Sequence, residues 1–105
     1  SGEPVANDDL INPLQTALVG NYPNPFNPNT TIKFSLKEQS PVNLTIYNIS
    51  GQKVITLVND TMPAGTYNLP WNGKDAKGRG VGSGIYFFKM DSGKYTSTKK
   101  MIMLK

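Results

Sequence analysis

Residues 31–36 read TIKFSL and residues 42–48 read VNLTIYN, and these two stretches decide the fold class. Apolar side chains occupy every second position in both, namely Ile32, Phe34, Leu36, Val42, Leu44 and Ile46. A period of two turns one face of a β-strand toward a core and leaves the other face in solvent, whereas a helix repeats every ~3.6 residues. The two stretches therefore predict half-buried strands, with a turn at residues 37–41 between them.

Strand-like segments continue in both directions from this pair. Residues 48–51 (NISG) predict a tight hairpin and residues 63–65 (PAG) another turn. The further segments are residues 18–19 (LV), 52–58 (QKVITLV), 66–71 (TYNLPW), 85–91 (IYFFKMD) and 95–105 (YTSTKKMIMLK). About seven strands at spacings of roughly 8–12 residues, with no helical period, indicate a β-sandwich.

The most apolar segment is IYFFKMD at residues 85–91. Lys89 is expected to face solvent, because an unpaired ammonium group is rarely buried. Alternation then turns Tyr86, Phe88 and Met90 inward. We therefore predict that Tyr86 and Phe88 have structural roles in the core.

Trp71 admits two interpretations. It shares a strand face with Tyr67 and Leu69, so the aromatic rings could stack on a sugar if that face were exposed. A single Trp on an apolar strand face is more often a core residue, and we predict that role. Pro70 cannot donate to a ladder, which places this strand at a sheet edge or a bulge.

The stretch YPNPFNP, residues 22–28, carries three prolines, at positions 23, 25 and 28. Proline fixes φ and lacks an N–H, so a sheet ladder cannot run through this stretch. Asn24 and Asn27 can close Asx turns, and the rings of Tyr22 and Phe26 are expected to hold the stretch against an apolar surface. We predict a stiff corner at the seam between an acidic tether and a basic domain.

Composition excludes several classes of function. Among its 105 residues the chain has no cysteine and no histidine. This removes disulfides, thiolate chemistry, the commonest metal ligand and the usual general base near neutral pH. No nucleophile–base pair and no paired carboxylates stand out either. We therefore expect no enzyme, no metal and no cofactor.

Charge is divided unevenly along the chain. Residues 1–28 carry a net charge of −3, and residues 29–105 carry +7. A basic domain favours an anionic partner. Because the lysines are scattered, however, we interpret most of them as a solvated surface and expect no nucleic-acid partner. No apolar run of about 18 residues exists, so no membrane-spanning helix is predicted.

A glycine-rich loop is predicted at residues 72–84 (NGKDAKGRGVGSG). A phosphate-binding loop would need a helix after it, and a strand is predicted there instead, so nucleotide binding is not expected. Asp75 could contribute to a calcium site, but no second carboxylate lies close in the sequence. An Asx turn or β-turn at residues 75–78 is the predicted structure.

The start of the chain differs from the rest. Residues 3–17 show neither alternation nor a sustained helical period, so residues 1–17 are predicted to be a flexible acidic linker behind a Ser1–Gly2 cloning remnant. The folded domain is predicted at residues 18–105. Because no signal-peptide pattern begins the chain, we expect the native protein to extend further upstream.

Four stretches together resemble the type A C-terminal sorting domain of the type IX secretion system. They are YPNPFNPNTTIKFSL, VNLTIYNISGQKV, PAGTYNLPWNGKDAKGRGVGSGIYFFKM and the terminal KKMIMLK. The series covers residues 18–105 in order. W-N-G-K-D followed by S-G-I-Y is less specific, since the immunoglobulin-like domain of flagellar hook-capping proteins shares it. The resemblance implies an immunoglobulin-like antiparallel β-sandwich of about seven strands.

The resemblance also implies a function without catalysis. In that family, an upstream cargo domain folds in the periplasm, and an outer-membrane translocon recognises the C-terminal domain and exports the cargo. A sortase-like peptidase commonly removes the domain and attaches the cargo to anionic lipopolysaccharide, although some relatives keep the domain as a surface anchor. We accordingly expect a monomeric domain that passes through the periplasm to the cell surface or the medium.

Recognition residues follow from the family's motifs. They are Pro63, Gly65 and Tyr67 in P-x-G-x-Y, Gly93, Lys94 and Tyr95 in G-K-Y, and Lys100, Met101, Leu104 and Lys105 in the terminal element. The cut would lie within residues 3–18, and the separable part would be N-terminal to Tyr22. The last strand is expected at a sheet edge, where unpaired backbone groups and Lys99, Lys100 and Lys105 would dock a partner by strand addition and charge.

Two alternatives remain open from the residues. The first is a carbohydrate-binding module of a secreted multidomain enzyme, which would hold polysaccharide through Trp71 and Tyr67. The second is a structural spacer or assembly domain similar to a hook-cap subunit. Exposure of Trp71 would favour the first alternative, and self-association in solution would favour the second.

Overall fold

The computed structural model describes residues 14–105, which form seven β-strands and no helix. In chain order they are β1 (Ala17–Tyr22), β2 (Thr30–Leu36), β3 (Ser40–Asn48), β4 (Lys53–Met62), β5 (Gly65–Trp71), β6 (Gly84–Ser92) and β7 (Tyr95–Met103). Each predicted segment corresponds to one strand, so the all-β prediction is confirmed. Within the described range, nothing is a helix long and apolar enough to cross a membrane.

The strands form two antiparallel sheets around one core. One sheet has the order β1-β2-β5 and the other the order β4-β3-β6-β7. The β2–β5 and β3–β6 pairings join strands that are not consecutive in the chain, which is the topology of a sandwich and not of a meander. Four strands lie at sheet edges, and one of them is β5, where Pro70 was predicted to require an edge or a bulge.

The sandwich has two ends with different content. The upper end holds the start of β1 and the turns between β2 and β3, β4 and β5, and β6 and β7. The lower end holds the turn between β3 and β4, the glycine-rich loop that precedes β6, and the end of β7. Antiparallel pairing fixes this division, because neighbouring strands run in opposite directions.

One core fills the space between the sheets. Its buried apolar side chains are Leu18, Phe26, Ile32, Phe34, Leu36, Val42, Leu44, Ile46, Trp71, Tyr86, Phe88, Met90, Met101 and Met103. The inward faces predicted by alternation in β2, β3 and β6 are all among them. Trp71 is 2% exposed, so its predicted core position is confirmed. Burial of each such large side chain stabilises the fold by about 1.5–3 kcal/mol.

Phe26 and Tyr22 differ in their environments. Phe26 is 2% exposed and its ring lies 5.7 Å from that of Trp71. Tyr22 is 83% exposed, so the prediction that both rings hold the proline-rich stretch is wrong for Tyr22. A register shift in β1 between Leu18 and Gly20 is the cause: it turns Asn21 toward the buried Ile32 and Tyr22 to the outer face.

The stretch YPNPFNP (residues 22–28) is named the proline strap. It begins at the last residue of β1 and leads toward β2, inside the folded domain. Leu18 of β1 is 4% exposed, and its N–H donates to the Tyr95 hydroxyl of β7 at 2.9 Å. The interpretation of the strap as the seam, with everything before Tyr22 separable, is therefore wrong for residues 17–21, which belong to β1. The predicted linker and cut fall mostly on residues 1–13, which lie outside the described range.

Candidate functional site: the free edge of the last strand

β7 forms an outer edge of the four-stranded sheet. The N–H and C=O of Ile102 both bond away from β6, to Asn24 and Phe26 of the proline strap. Because the direction of the backbone groups alternates along a strand, Thr96, Thr98 and Lys100 must direct their own N–H and C=O groups to the same side. The sequence-based expectation of a strand edge is thus met in the backbone of β7.

The proline strap covers the last part of this edge. Phe26 N donates to Ile102 O at 3.0 Å, Leu104 N donates to Phe26 O at 2.9 Å, and Ile102 N donates to Asn24 Oδ1 at 3.0 Å. The prediction that the final residues offer unpaired backbone groups is therefore wrong at Ile102 and Leu104. The reason is that the strap runs parallel to this part of β7 and bonds to it. Asn24 Oδ1 and Phe26 O accept hydrogen bonds from β7, and Phe26 N donates one.

A free stretch remains at residues 96–100. None of the described residues bonds to the outward backbone groups of Thr96, Thr98 or Lys100. The Thr96 hydroxyl donates to the Asp91 carboxylate at 2.8 Å, and the outward N–H and C=O of Thr96 take no part in that bond. Residues 96–100 of β7 therefore form the candidate docking edge.

The lysines that were predicted to form one docking surface do not all lie beside the docking edge. Lys99 and Lys100 are exposed within it, and Lys94 is exposed at the turn before it. Lys105, which was predicted to belong to the same surface, is at the lower end instead. Its N–H donates to the Ser83 hydroxyl at 2.9 Å, and its Nζ lies 3.3 Å from where a Cβ on Gly80 would stand.

The G-K-Y motif builds the turn that leads into the docking edge. Gly93 has φ of +60°, a left-handed conformation that favours glycine. Lys94 is exposed at the tip of this two-residue turn. The Tyr95 hydroxyl accepts the N–H of Leu18 and so ties β7 to the facing sheet. Two of the three motif residues therefore have a structural explanation.

The P-x-G-x-Y motif closes the turn between β4 and β5. The Tyr67 hydroxyl donates to Pro63 O at 2.6 Å. The Tyr67 ring stacks on Phe34, with centroids 5.2 Å apart, and a Cβ on Gly65 would lie 3.9 Å from that ring. This motif therefore stabilises the upper end of the sandwich, and whether a partner also contacts it stays a prediction.

The structure does not bring the predicted recognition residues into one patch. The first two motifs lie at the upper end, whereas the terminal element runs down β7 to the lower end. Met101 is fully buried in the core, and Leu104 is 55% exposed just beyond the strap. The backbone of Thr96 and Thr98 was not singled out from the sequence, because polar residues in a strand do not reveal which edge lacks a neighbour.

The glycine-rich loop is a hydrogen-bonded turn around Asp75. Gly78 N donates to Asp75 O at 3.0 Å, and the Asp75 carboxylate accepts from the N–H groups of Lys77 and Arg79, as the predicted Asx turn and β-turn require. The backbone bond from Arg79, supported by the bond from Lys77 and by the guanidinium at 3.1 Å, holds the pKa of Asp75 below its ordinary value. The carboxylate is thus occupied by its own loop.

Two buried aromatic residues, Trp71 and Tyr86, bond to backbone carbonyls of the glycine-rich loop. The Trp71 indole N–H donates to Lys74 O at 2.9 Å inside the core, so this ring cannot serve as a sugar platform. The Tyr86 hydroxyl donates to Gly82 O at 2.6 Å, and burial raises the pKa of Tyr86. Across residues 14–105, no three Asp, Glu, His or Cys side chains cluster as metal ligands would.

Fold and sequence together define the class of protein: a small immunoglobulin-like β-sandwich. Residues 25–96 match the FlgD Ig-like domain family, and the chain belongs to that family. A search of curated proteins finds no significant match to the sequence.

Two solved structures from Porphyromonas gingivalis share the fold. Dimeric latent PorU matches with a TM-score of 0.65 and 20% identity over 80% of this chain. PorZ, described as an essential bacterial surface component of the type-IX secretion system, matches with a TM-score of 0.55 and 22% identity over 81% of this chain. The match covers 9% of the PorU chain and 11% of the PorZ chain, so this chain corresponds to about a tenth of either protein.

Proposed function

We propose that this domain is a C-terminal sorting signal that directs an upstream cargo protein across the bacterial outer membrane through the type IX secretion system. The observation that carries the proposal is the docking edge, which combines free backbone groups with exposed lysines. The motifs that resemble type A sorting domains support it, as does the fold that the domain shares with parts of PorU and PorZ.

The docking edge suits recognition by strand addition. A partner strand could bond to the backbone of Thr96, Thr98 and Lys100 without displacing any bond of the sandwich. The ammonium groups of Lys99 and Lys100 favour a partner strand that carries carboxylates. The proline strap ends the available edge at Ile102, so the pairing with a partner strand would be short.

The domain would act without catalysis. Its partners would be the outer-membrane translocon and a sortase-like peptidase that cuts before residue 18, with anionic lipopolysaccharide as a further candidate. It would pass through the periplasm as a monomer attached to its cargo, and it would then be removed or kept as a surface anchor. The residues before β1, which begins at Ala17, would supply the cleavable segment, and the folded domain after them would be the signal.

A proline scan of β7 tests the docking mechanism. The N–H of Thr98 points to the free edge, so Thr98→Pro removes a donor that the fold does not use. We expect export of a reporter fused ahead of the domain to fall at least about tenfold with Thr98→Pro and to stay unchanged with Thr98→Ala. Export would be scored in strains with and without the translocon.

Ser97→Pro provides the folding control, because the Ser97 N–H faces β6 and its loss should destabilise the hairpin. Circular dichroism of the purified domains should show native Thr98→Pro and destabilised Ser97→Pro protein. If the wild-type fusion is not exported by the translocon, the sorting function is wrong. If it is exported and Thr98→Pro is exported equally well, the sorting function stands and the edge mechanism is wrong.

Truncation of the terminal element would be a weak test of export. Deletion of residues 101–105 would remove Met101 and Met103, which are both fully buried, together with the partners of the proline strap. Loss of export would then report unfolding. Leu104→Ala and Lys105→Gln change exposed side chains and test the same element without removing the core.

A further inference from the structure

One row of side chains crosses the outer face of the four-stranded sheet. Lys53 of β4 pairs with Tyr47 of β3, Tyr47 pairs with Phe87 of β6, and Phe87 pairs with Lys100 of β7. Adjacent strands lie about 4.8 Å apart, so the two lysines stand about 14 Å from each other with two aromatic rings between them. This set is called the aromatic–lysine row.

The row faces solvent. Ile46, Phe88 and Met101 are fully buried, and each is the chain neighbour of a member of the row, so alternation turns Tyr47, Phe87 and Lys100 outward. The rings of Tyr47 and Phe87 are half-buried between their neighbours, and both lysines are exposed. Ile85 and Ile102 pair with each other next to the row, on the side nearer the lower end, and enlarge its apolar surface.

Several polar side chains above the row bond to one another, whereas those of the row do not. Above the row, Thr45 bonds to Asn43 at 2.7 Å, and Asp91 accepts from Thr96 and lies 4.0 Å from Lys89. In residues 14–105, by contrast, no hydrogen bond or ion pair engages the Tyr47 hydroxyl or the ammonium groups of Lys53 and Lys100.

Charge on the face is unbalanced. Lys53, Lys89 and Lys100 surround the two rings, and Asp91 is the acidic side chain that the strand pairings place on this face. Asp91 accepts a hydrogen bond from Thr96 and lies beside Lys89, so the positive charges of Lys53 and Lys100 have no carboxylate partner among the described residues of this face. Such a face attracts an anionic partner with an apolar surface of its own.

We propose that the aromatic–lysine row binds an acidic polysaccharide. The apolar C–H face of a sugar ring would pack on Tyr47 and Phe87, while carboxylates of the same chain would pair with Lys53 and Lys100. The flat sheet favours this partner over a membrane, because rings held between strands cannot insert into lipid as a protruding loop would. The site meets the docking edge at Lys100, but the strand partner of that edge would use backbone groups, whereas the polysaccharide would use the outward side chains of the row.

Binding of the whole chain to polygalacturonate, a polyuronate, tests the proposal, with neutral dextran as the comparison. We expect titration calorimetry to show binding to polygalacturonate and none to dextran. The double variant Lys53→Gln/Lys100→Gln should weaken binding at least about tenfold. Phe87→Leu, which keeps an apolar side chain at that position, should weaken binding several-fold because it removes the flat ring.

The matched control removes the same charge elsewhere. Lys33 and Lys37 are exposed on β2 and the turn after it, so Lys33→Gln/Lys37→Gln has the same net charge as the row variant. It should retain binding to within about twofold. Equal weakening by both double variants, unchanged binding by Phe87→Leu, or binding to phosphatidylglycerol vesicles but not to polygalacturonate would each overturn the proposal.

Discussion

At the residue scale, Phe26 attaches the proline strap to the domain. Its ring is 2% exposed and packs between the strap and Trp71, while its N–H and C=O bond to β7. Phe26 therefore holds the strap in place through both its side chain and its backbone. Tyr22 is exposed, and its strand partner is Thr31 of β2 and not a residue of β7.

Phe26→Ala should therefore lower the free energy of unfolding by about 3–5 kcal/mol, because it opens a cavity beside Trp71. Urea denaturation followed by Trp71 fluorescence measures this change. Tyr22→Ala is the control, and it should change the same quantity by no more than about 0.5 kcal/mol. A similar cost for the two variants would contradict the assignment of the strap's attachment to Phe26.

Residues of the recognition motifs also have roles in the fold. Tyr67 closes the turn that begins at Pro63, and Tyr95 joins the two sheets through Leu18. Loss of export on mutation of either tyrosine would thus be expected from destabilisation alone. Lys94, Lys99 and Lys100 are exposed, so their variants report on a partner more directly.

At the element scale, β7 is divided into a free part and a covered part. The amides of Thr96, Thr98 and Lys100 have no acceptor among the described residues, whereas those of Ile102 and Leu104 donate to the strap. Hydrogen exchange followed by NMR should therefore show fast exchange at the first three amides and slow exchange at the other two.

Asn24→Ala sharpens this prediction, because Asn24 Oδ1 is the acceptor for Ile102 N. The variant should speed exchange at Ile102 and leave Leu104, which donates to the backbone of Phe26, protected. Protection of Thr98 in the isolated domain would mean that the docking edge is already paired, which would contradict its assignment as a free edge.

At the scale of the whole molecule, one core serves both sheets. Trp71 belongs to the three-stranded sheet and Tyr86 to the four-stranded sheet, and their rings lie 5.7 Å apart. If one sheet unfolded, the apolar inner face of the other sheet would be exposed to solvent. Two of the five strand pairings, β2–β5 and β3–β6, also join strands that are not consecutive in the chain.

We therefore expect the domain to unfold in a single transition. Trp71 fluorescence reports on the three-stranded sheet, and far-ultraviolet circular dichroism reports on all strands. The urea midpoints of the two signals should coincide. A fluorescence transition that clearly precedes the loss of strand signal would show that the sheets separate independently and would contradict the single core.

The alternating residues of β2, β3 and β6 were sufficient to predict the strands, their inward faces and the sandwich, because a period of two is a property of the local chain. Turn chemistry at Asp75 and the edge position of Pro70 could be predicted for the same reason. The sequence by itself thus determined what each segment is and which of its faces is buried.

Tertiary structure alone decided which edges stay open. Ile102 and Asn24 are 78 residues apart, so no local pattern could indicate that the strap covers the end of β7. The exposure of Tyr22 depends on a register shift in β1, and the aromatic–lysine row depends on the registers of three strand pairs. Register follows from the packing of distant segments against each other, and for that reason only the folded molecule defines the docking edge and the row.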